Sequence, residues 1–303
     1  MSVIGVDLGG TKAAAAVFTN SAEMLEKKTK LLAGAEGDKV GDLVVDLIKE
    51  LVGSCKGEKI EAVGICVPGI VYSKKGTVWA PNIPGWEDFP LAARIYDGLG
   101  IADLKVCVES DRTCYILGEV WKGAAQGCEN AIYLAVGTGI GAGILLDGRI
   151  IHGANDIVGA TGWMALQSPY VDEYIPCGCF EYYASGTGIG GQAKLLYGDQ
   201  SKTSYDVFAG YGKDPVATKI LDKAIELWGM GTANLVSLFN PEKIIFGGGI
   251  FGPAVQFIDR IYAEACKWGQ PISMKDVKYC ASQVGSDAAL LGSAHLALRA
   301  TKQ

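Results

Sequence analysis

Apolar residues in this sequence form short β-branched runs that end in glycine and longer runs typical of helices. The short runs are 3–8, Ala131–Val136 and 243–246, which lead into Gly9-Gly10, Gly137-Thr138-Gly139 and Gly247-Gly248-Gly249. Each run predicts a strand followed by a tight turn, because glycine adopts backbone conformations that other residues avoid. Second apolar runs at 13–18 and 144–146 follow the first two turns, so both segments predict β-hairpins.

The longer runs predict helices between these strands. Over 38–55 the apolar residues recur on one helical face. Helices are also predicted over 111–123, which has an aspartate near its start, over 218–239, which Asn240-Pro241 ends, and over 286–300. Two further strands are predicted at Ile60–Val67, closed by Pro68-Gly69, and at 105–108. The alternation of strands and helices indicates an α/β fold.

The first two hairpins repeat one plan, with a threonine in each turn, and this repetition predicts two similar halves that join near 112–125. Exposed backbone N–H groups at such turns, together with a threonine hydroxyl, bind anions without any net positive charge. Phosphate is therefore the candidate ligand. Taken singly, each turn could equally be an ordinary hairpin turn.

Composition and charge exclude several classes of protein. The 303 residues include 27 lysines and arginines against 33 acidic residues, a net charge of −6 with no basic cluster, which argues against a free-standing nucleic-acid binder. The longest charge-free apolar run, 131–146, is too short and too rich in glycine to span a membrane, and Asp7 interrupts any signal-peptide pattern. Nine cysteines are expected to be free thiols in the cytoplasm, and two histidines, His152 and His295, leave no histidine cluster.

Three short segments resemble known binding motifs, but the residues around each one argue against that function. Gly212-Lys213 lacks the first glycine and the Ser/Thr of a P-loop. The segment 186–191 fits G-x-G-x-x-G, but no apolar strand precedes it, so a dinucleotide site is not expected there. Cys177 and Cys179 have no partner ligands at the spacing of a zinc site.

Five segments in order give the chain a family resemblance. They are Asp7-Leu-Gly-Gly-Thr-Lys12, Ala80-Pro-Asn-Ile-Pro-Gly-Trp86, Gly137-Thr-Gly-Ile-Gly141, Gly178-Cys-Phe-Glu-Tyr-Tyr-Ala-Ser-Gly186 and Asn240-Pro-Glu-Lys-Ile-Ile-Phe-Gly-Gly-Gly249. Together they resemble the ROK family of sugar kinases and regulators, within the actin-like ATPase (ribonuclease H-like) fold. The resemblance implies an α/β protein of two domains with an interdomain cleft, the first formed by 1–112 plus 286–303 and the second by 113–285. It also implies ATP and Mg²⁺ as cofactors, a small sugar or polyol as substrate, and a homodimer.

The resemblance implies roles residue by residue. The first phosphate loop would be Asp7, Gly9, Gly10, Thr11 and Lys12, with Asp7 holding Mg²⁺ through water, and the second Gly137, Thr138 and Gly139. Gly247, Gly248 and Gly249 would pack against the adenosine. Asn82 and Glu181 would bind the sugar, and Asp111 would contact it as the catalytic base. Gly69, and Trp163 at a position where the chain departs from the family, are also assigned to the substrate. Without the resemblance, an aspartate in the place of Asp111 is expected to cap its helix.

Departures from the family pattern bear on the substrate. Family kinases carry a glutamate and a histidine where this chain has Ala160 and Trp163, and Ser110 replaces the first residue of an Asn-Asp pair. No zinc is expected, since the family's upstream cysteines are missing. Trp163 is expected either to stack on a sugar face or substituent, or to fill the core. These changes predict a modified sugar, a differently configured sugar or a polyol rather than glucose.

Two alternatives to an active ATP-dependent sugar kinase arise. A DNA-binding regulator of the family would need a segment before Asp7 that the chain has no room for. A catalytically weak or inactive sugar-binding protein is the second alternative, prompted by Ala160 and Trp163 and opposed by the retained Asp7, Thr11, Asp111 and Thr138. A phosphate donor other than ATP, such as polyphosphate, stays open.

Overall fold

The structure is a computed structural model that describes residues 2–55 and 59–302. Its chain divides into two compact units. The first consists of Met1–Gln126, His152–Ile157 and Ser286–Gln303, and the second of Gly127–Ile151 and Val158–Gly285. The first unit therefore extends past the expected boundary at 112 and also takes up 152–157. The helix that begins at Asp111 belongs with this unit because it packs against the C-terminal helix.

Strands and helices are numbered here in chain order. The strands are β1 Ser2–Leu8, β2 Lys12–Thr19, β3 Met24–Leu31, β4 Ile60–Val67, β5 Ile70–Tyr72, β6 Thr77–Trp79, β7 Lys105–Ser110, β8 Ala131–Val136, β9 Ile140–Leu146, β10 Arg149–Ile150, β11 Lys243–Gly247 and β12 Lys278–Ala281. The helices are α1 Asp38–Ser54, α2 Leu91–Leu99, α3 Asp111–Lys122, α4 Cys179–Ala184, α5 Gly186–Tyr197, α6 Ser204–Gly210, α7 Pro215–Phe239, α8 Ile258–Ala265, α9 Pro271–Asp276 and α10 Ala288–Thr301.

The sheet of the first unit has the strand order β3-β2-β1-β4-β7. Strands β1, β4 and β7 are parallel, and β2 runs antiparallel to both of its neighbours. Successive residues of β1 point to opposite faces, so Ile4 and Val6 join the core formed with α1 and α2. Val3 faces α10 instead. Helix α10 lies so close to the sheet that a Cβ at Gly5 would come within 2.6 Å of the Leu290 carbonyl oxygen.

The sheet of the second unit repeats this plan as β10-β9-β8-β11-β12. Strands β8, β11 and β12 are parallel, and β9 is antiparallel to β8 and β10. One large apolar core, to which α7 contributes many residues, fills this unit. The two matching sheets confirm the two similar halves that the repeated hairpins predict.

Several predicted elements need correction at their ends. Helix α7 begins at Pro215 rather than 218, because Asp214 caps it with hydrogen bonds from the Val216 and Ala217 N–H groups. The predicted strand at 144–146 is the end of a longer strand, since β9 starts directly after Gly139. Strand β3 was not predicted, and it is an edge strand that carries four charged residues, Glu26, Lys27, Lys28 and Lys30. None of the helices in the described part of the chain has the length and apolar character needed to cross a membrane.

Candidate active site

The turn between β1 and β2 presents backbone N–H groups. It is closed by a hydrogen bond from the Gly9 N–H to the Lys12 carbonyl oxygen at 2.9 Å, and the Leu32 N–H binds the Thr11 carbonyl oxygen. Within residues 2–55 and 59–302, the N–H groups of Gly10 and Thr11 have no acceptor. Two unpaired amides at one exposed turn form a site for an anion.

Asp7 lies at the end of β1, beside this turn. In the sheet it pairs with Ala14 on one side and Cys66 on the other, and Cys66 pairs in turn with Glu109 of β7. Burial raises the pKa of the Asp7 carboxyl, and the nearby Lys12 ammonium opposes that rise. The carboxylate is therefore held at the carboxyl end of the central strand, next to the turn between β1 and β2.

Asp111 is the first residue of α3, and it is not the helix cap. Ser110 takes that role, since its side chain accepts a hydrogen bond from the Thr113 N–H at 3.4 Å. The alternative assignment of Asp111 as the cap is therefore wrong. One oxygen of its carboxylate accepts from the Arg112 N–H at 2.8 Å, and the residue is partly exposed. Burial raises the pKa of Asp111, against the effect of Arg112.

Asn82 and Gly69 lie in the same unit. The backbone of Asn82 is close to the first turn, since a Cβ on Gly10 would lie 3.1 Å from the Asn82 Cβ. Asn82 itself is exposed, in a loop anchored by the buried Trp86. Gly69 has φ 118°, and a Cβ there would overlap the Trp79 carbonyl oxygen. Glycine is thus required at 69 for the local packing, whatever else it contacts.

In the second unit, the turn between β8 and β9 repeats the first one. The Gly137 N–H binds the Gly139 carbonyl oxygen at 2.9 Å, and among the described residues the Thr138 and Gly139 N–H groups have no acceptor. Helix α5 fixes this turn, because the Gly186 N–H donates to Gly137 O at 2.7 Å and the Thr187 N–H to Thr138 O at 3.3 Å. The helix N-terminus is thus used to hold the loop, and the loop's own amides are left for a ligand.

A cavity of about 680 Å³ opens beside this turn. Its walls combine the loop, the glycine-rich start of α5, two lysines and two aromatic residues. The lining includes Gly137, Thr138, Gly186, Gly190, Gly191, Lys194, Lys202, Tyr205 and Gly249. Glycine-lined walls let a ligand approach the backbone closely, and the two lysines can neutralise an anionic group.

Of the three consecutive glycines that begin with the last residue of β11, one lines this cavity. A Cβ on Gly248 would overlap the Val136 carbonyl oxygen, and its φ is +86°. A Cβ on Gly247 would overlap the Tyr133 hydroxyl, whereas Gly249 has open space around it. The first two glycines are therefore required by packing within the sheet, and Gly249 is the one placed to contact a ligand.

Glu181 lies between the second loop and a short 3₁₀ turn at Thr161–Trp163. Its carboxylate accepts from the Ile140 N–H at 2.6 Å, and a Cβ on Gly139 or Gly162 would come within 2.8 Å of it. Burial raises the pKa of Glu181, and the Ile140 N–H opposes that rise. Trp163 is 58% exposed, so the expectation that it fills the core is wrong.

The site residues predicted from the sequence thus fall into two groups. Within the first unit, Asp7, the first turn, Asp111 and Asn82 surround the carboxyl ends of β1, β4 and β7. Within the second unit, the second turn and Gly249 share the cavity, while Glu181 and Trp163 lie near Gly162.

Sequence reasoning missed part of the cavity and one side-chain pair. The segment 186–191 follows a helix and not a strand, as its context indicates, yet its glycines line the cavity. Lys194 and Lys202 carry no motif that would single them out. The pair of His152 and Glu109 also escaped notice, because only the fold brings them together.

Comparison with known proteins accords with this geometry. The model of the ROK family matches residues 3–300. A glucokinase of Halalkalibacterium halodurans is 30% identical over 316 aligned positions, covering 97% of this chain and 94% of that protein. The crystal structure of a ROK hexokinase from Thermus thermophilus superposes with a TM-score of 0.86 at 29% identity, covering 100% of this chain and 99% of that one. A ROK family glucokinase from Streptomyces griseus, in complex with glucose and AMPPNP, gives a TM-score of 0.76 at 30% identity, covering 99% and 100%.

The duplicated sheets and their paired glycine turns define the class, which is the actin-like ATPase fold. Within that class the chain belongs to the ROK family.

Proposed function

We propose that this protein transfers the terminal phosphoryl group of ATP to a hydroxyl group of a sugar or polyol, with Asp111 as the base. The chain is a carbohydrate kinase, as its family and its kinase relatives indicate. The observation that carries the role of Asp111 is its placement one residue past the helix cap. Ser110 caps the helix and the Arg112 N–H takes only one oxygen of the Asp111 carboxylate, so we assign the other oxygen to the chemistry.

Asp111 would accept the proton of the attacking hydroxyl. A well-placed base of this kind contributes about 10²–10⁴-fold to the rate. The carboxylate must be ionised to act, and burial raises its pKa. The rate is therefore expected to fall on the acid side at a pH above the ordinary aspartate value of 3.8.

The residues of the second unit fit a nucleotide. The free amides of Thr138 and Gly139 suit phosphate oxygens, and the open space at Gly249 suits a flat base or ribose. Lys194 and Lys202 bring positive charge to the same cavity. In the first unit, the Gly10 and Thr11 amides, with Lys12 beside them, would hold the transferred phosphoryl group.

Mg²⁺ fits the donor set of the first unit. It prefers oxygen ligands and is bound in kinases by one or two carboxylates together with water and phosphate. Asp7, on the rigid end of β1, would hold it through water, and the ion would neutralise charge on the transferred group. The cytoplasm is the compartment proposed for this chain of nine cysteines, and family resemblance supports a homodimer.

The substrate is proposed to be a modified sugar, a differently configured sugar or a polyol. Ala160 offers no hydrogen bond, and the indole of Trp163 is exposed where it can stack on an apolar face or substituent. Glu181 would bind a hydroxyl with the part of its carboxylate that the Ile140 N–H leaves available. Asn82 and Gly69 would contact the substrate from the first unit.

The test is a coupled ADP-release screen with Mg·ATP over aldoses, ketoses, N-acetylated and deoxy sugars, and polyols. Asp111→Asn should lower kcat by about 10²–10⁴-fold on the accepted substrate. Asp97→Asn removes the same charge from an exposed position of α2 in the same unit, and it should retain full activity.

Three results would count against parts of this proposal. Undiminished turnover by Asp111→Asn would remove that residue from its role. Ordinary micromolar-to-millimolar KM values for glucose would overturn the substrate class. Sugar binding without ADP release from any acceptor would favour the alternative, a catalytically inactive sugar-binding protein.

A further inference from the structure

An imidazole and a carboxylate that have no role so far are paired in the first unit. His152 Nε2 lies 2.7 Å from Glu109 Oε1. The Glu109 side chain is 18% exposed and that of His152 is 42% exposed, so the pair lies at a surface with the imidazole on its open side. The hydrogen bond that the His152 ring donates to the Glu109 carboxylate raises the pKa of His152, and Asp156 acts in the same direction.

The position of Glu109 brings this pair to the candidate active site. Glu109 is in register with Cys66, which is in register with Asp7, so the three residues form one row across β7, β4 and β1. Side chains in register on parallel strands share a face of the sheet. Glu109 also precedes Asp111 by only two residues, so the imidazole is held at the same sheet edge as the proposed base.

The segment that carries His152 is fastened to the first unit at other points as well. The Asp156 carboxylate accepts hydrogen bonds at 3.0 Å from both the N–H and the hydroxyl of Ser73. Lys74 donates to the Ala154 carbonyl oxygen at 3.3 Å. Because the short segment is held near both ends, the imidazole is oriented before any ligand arrives, which lowers the entropic cost of binding.

We propose that His152, oriented by Glu109, binds a hydroxyl group of the sugar or polyol next to the hydroxyl that Asp111 deprotonates, and is a specificity-determining residue. This inference rests on the proposed function. With Nε2 engaged by Glu109, Nδ1 remains for the ligand, as a donor when the ring is protonated and as an acceptor when it is neutral. A substrate hydroxyl can satisfy either state. An analogue that lacks this hydroxyl leaves the imidazole unpaired and is selected against.

The experiment uses the fact that the chain has two histidines. Burial lowers the pKa of His295 to about 4, so His152 is the ring that titrates near neutral pH. The ring ¹H–¹⁵N signals of the full chain, assigned with His152→Gln, are followed while the accepted sugar is added without nucleotide. The His152 signal should shift until the site is saturated. The His295 signal should stay in place and so also report that each variant is folded.

Kinetics supply the second readout. Loss of one hydrogen bond to a neutral ligand corresponds to about a tenfold change in affinity, so His152→Gln should raise the sugar KM about tenfold. The KM for ATP should stay unchanged. His152→Asn, whose amide can replace Nδ1, should recover part of the loss. Glu109→Gln should shift the His152 titration to lower pH.

The outcomes separate the two proposals. If the sugar is phosphorylated by the wild type while the His152 signal does not move and His152→Gln keeps the normal KM, the inference on His152 is overturned and the kinase assignment stands. If no acceptor is phosphorylated and none perturbs the His152 signal, both are overturned.

Discussion

Each unit has its own sheet of the same topology, but the two sheets differ in the residues at the carboxyl ends of their parallel strands. In the first unit, Asp7, Cys66 and Glu109 stand in register across three parallel strands. In the second unit, the residue that follows the same plan on the central strand is Ala135, and it pairs with Gly247 and with Gly141. One edge therefore carries carboxylates, and the other carries side chains of minimal size.

This difference suits the two sheets to different tasks, one to proton transfer and cation binding and the other to the close approach of a ligand. Carboxylates on rigid strands suit proton transfer and cation binding, which is why we propose the first unit as the place for the base and the metal. Glycine and alanine let a ligand or a neighbouring backbone approach closely, which is why we propose the second unit as the place for the nucleotide. There the positive charge comes from Lys194 and Lys202 on the cavity wall.

The largest expected loss of stability comes from adding a methyl group at Gly248, beside the alanine and glycines at the carboxyl edge of the second unit's sheet. In Gly248→Ala the new Cβ would meet the Val136 carbonyl oxygen, a backbone atom that cannot move aside, at a φ of +86°. The backbone conformation costs about 1–3 kcal/mol and the overpacking about 1–3 kcal/mol more. At about 2–4 °C for each kcal/mol, the thermal unfolding midpoint should fall by several degrees, which calorimetry measures.

Gly249→Ala is the matched control for this variant. The position next along the chain has nothing within 4 Å of the added Cβ, so the unfolding midpoint should change little. Because Gly249 lines the cavity, the KM for ATP is the parameter expected to rise. Equal unfolding midpoints for the two variants would contradict the packing role given to Gly248.

Much of this comparison was predictable from the sequence. The strands β1, β4, β8 and β11 follow from apolar runs, and the paired turns follow from Gly-Thr after such runs. The duplication follows from the repeated hairpin. These features are local, and a strand followed by glycine and a second apolar run leaves few other structures open to the chain.

The rest depends on tertiary contacts that no local pattern reveals. Strand β3 is rich in charged residues and lies at the edge of the sheet, where lysines oppose the pairing of one sheet with another, and such a polar segment does not have the apolar pattern that predicts a strand. The start of α5 is rich in glycine, which disfavours a helix, and it forms because Ser185 caps it and the second loop accepts its N–H groups. The segment 152–157 joins the first unit although its flanking chain belongs to the second, so the pair of His152 and Glu109 could not be foreseen.

Both histidines of the chain belong to the first unit, so a histidine-linked loss of stability in acid is expected to originate there. His295 of α10 stacks on Trp121 and binds the Leu117 carbonyl oxygen through Nδ1, and burial lowers its pKa from 6.5 to about 4. Between these pH values the unfolded chain binds a proton at His295 that the folded chain does not. Stability should therefore fall as the pH drops below 6.5, by about 2 kcal/mol at pH 4.5 relative to pH 7.

Urea unfolding at the two pH values measures this loss, with His295→Gln as the comparison. The variant should lose about 2 kcal/mol less than the wild type between pH 7 and 4.5. His152 has the opposite sign, because Glu109 raises its pKa and its stabilising contribution is complete below 6.5 and lost as the pH rises through the folded-state value. His152→Gln should thus make the acid loss larger. Identical pH dependence in all three proteins would rule out a histidine origin.

The smallest expected change in stability comes from removing a helix cap, and each unit offers one serine cap for comparison. Ser185 is 1% exposed and accepts from the Gly188 N–H at 2.9 Å, whereas Ser110 accepts from the Thr113 N–H at 3.4 Å. Replacing a serine cap by alanine costs about 0.5–2 kcal/mol, so Ser185→Ala should lie near the upper end of that range and Ser110→Ala near the lower. Ser110→Ala should nevertheless lower kcat more, because Ser110 fixes the helix turn that carries Asp111. Denaturant unfolding of both variants measures the loss of stability, and steady-state kinetics measure the loss of kcat.

Helix α5 holds the second loop in place. If Ser185→Ala lost more kcat than Ser110→Ala, the position of that loop would matter more for the rate than the alignment of Asp111.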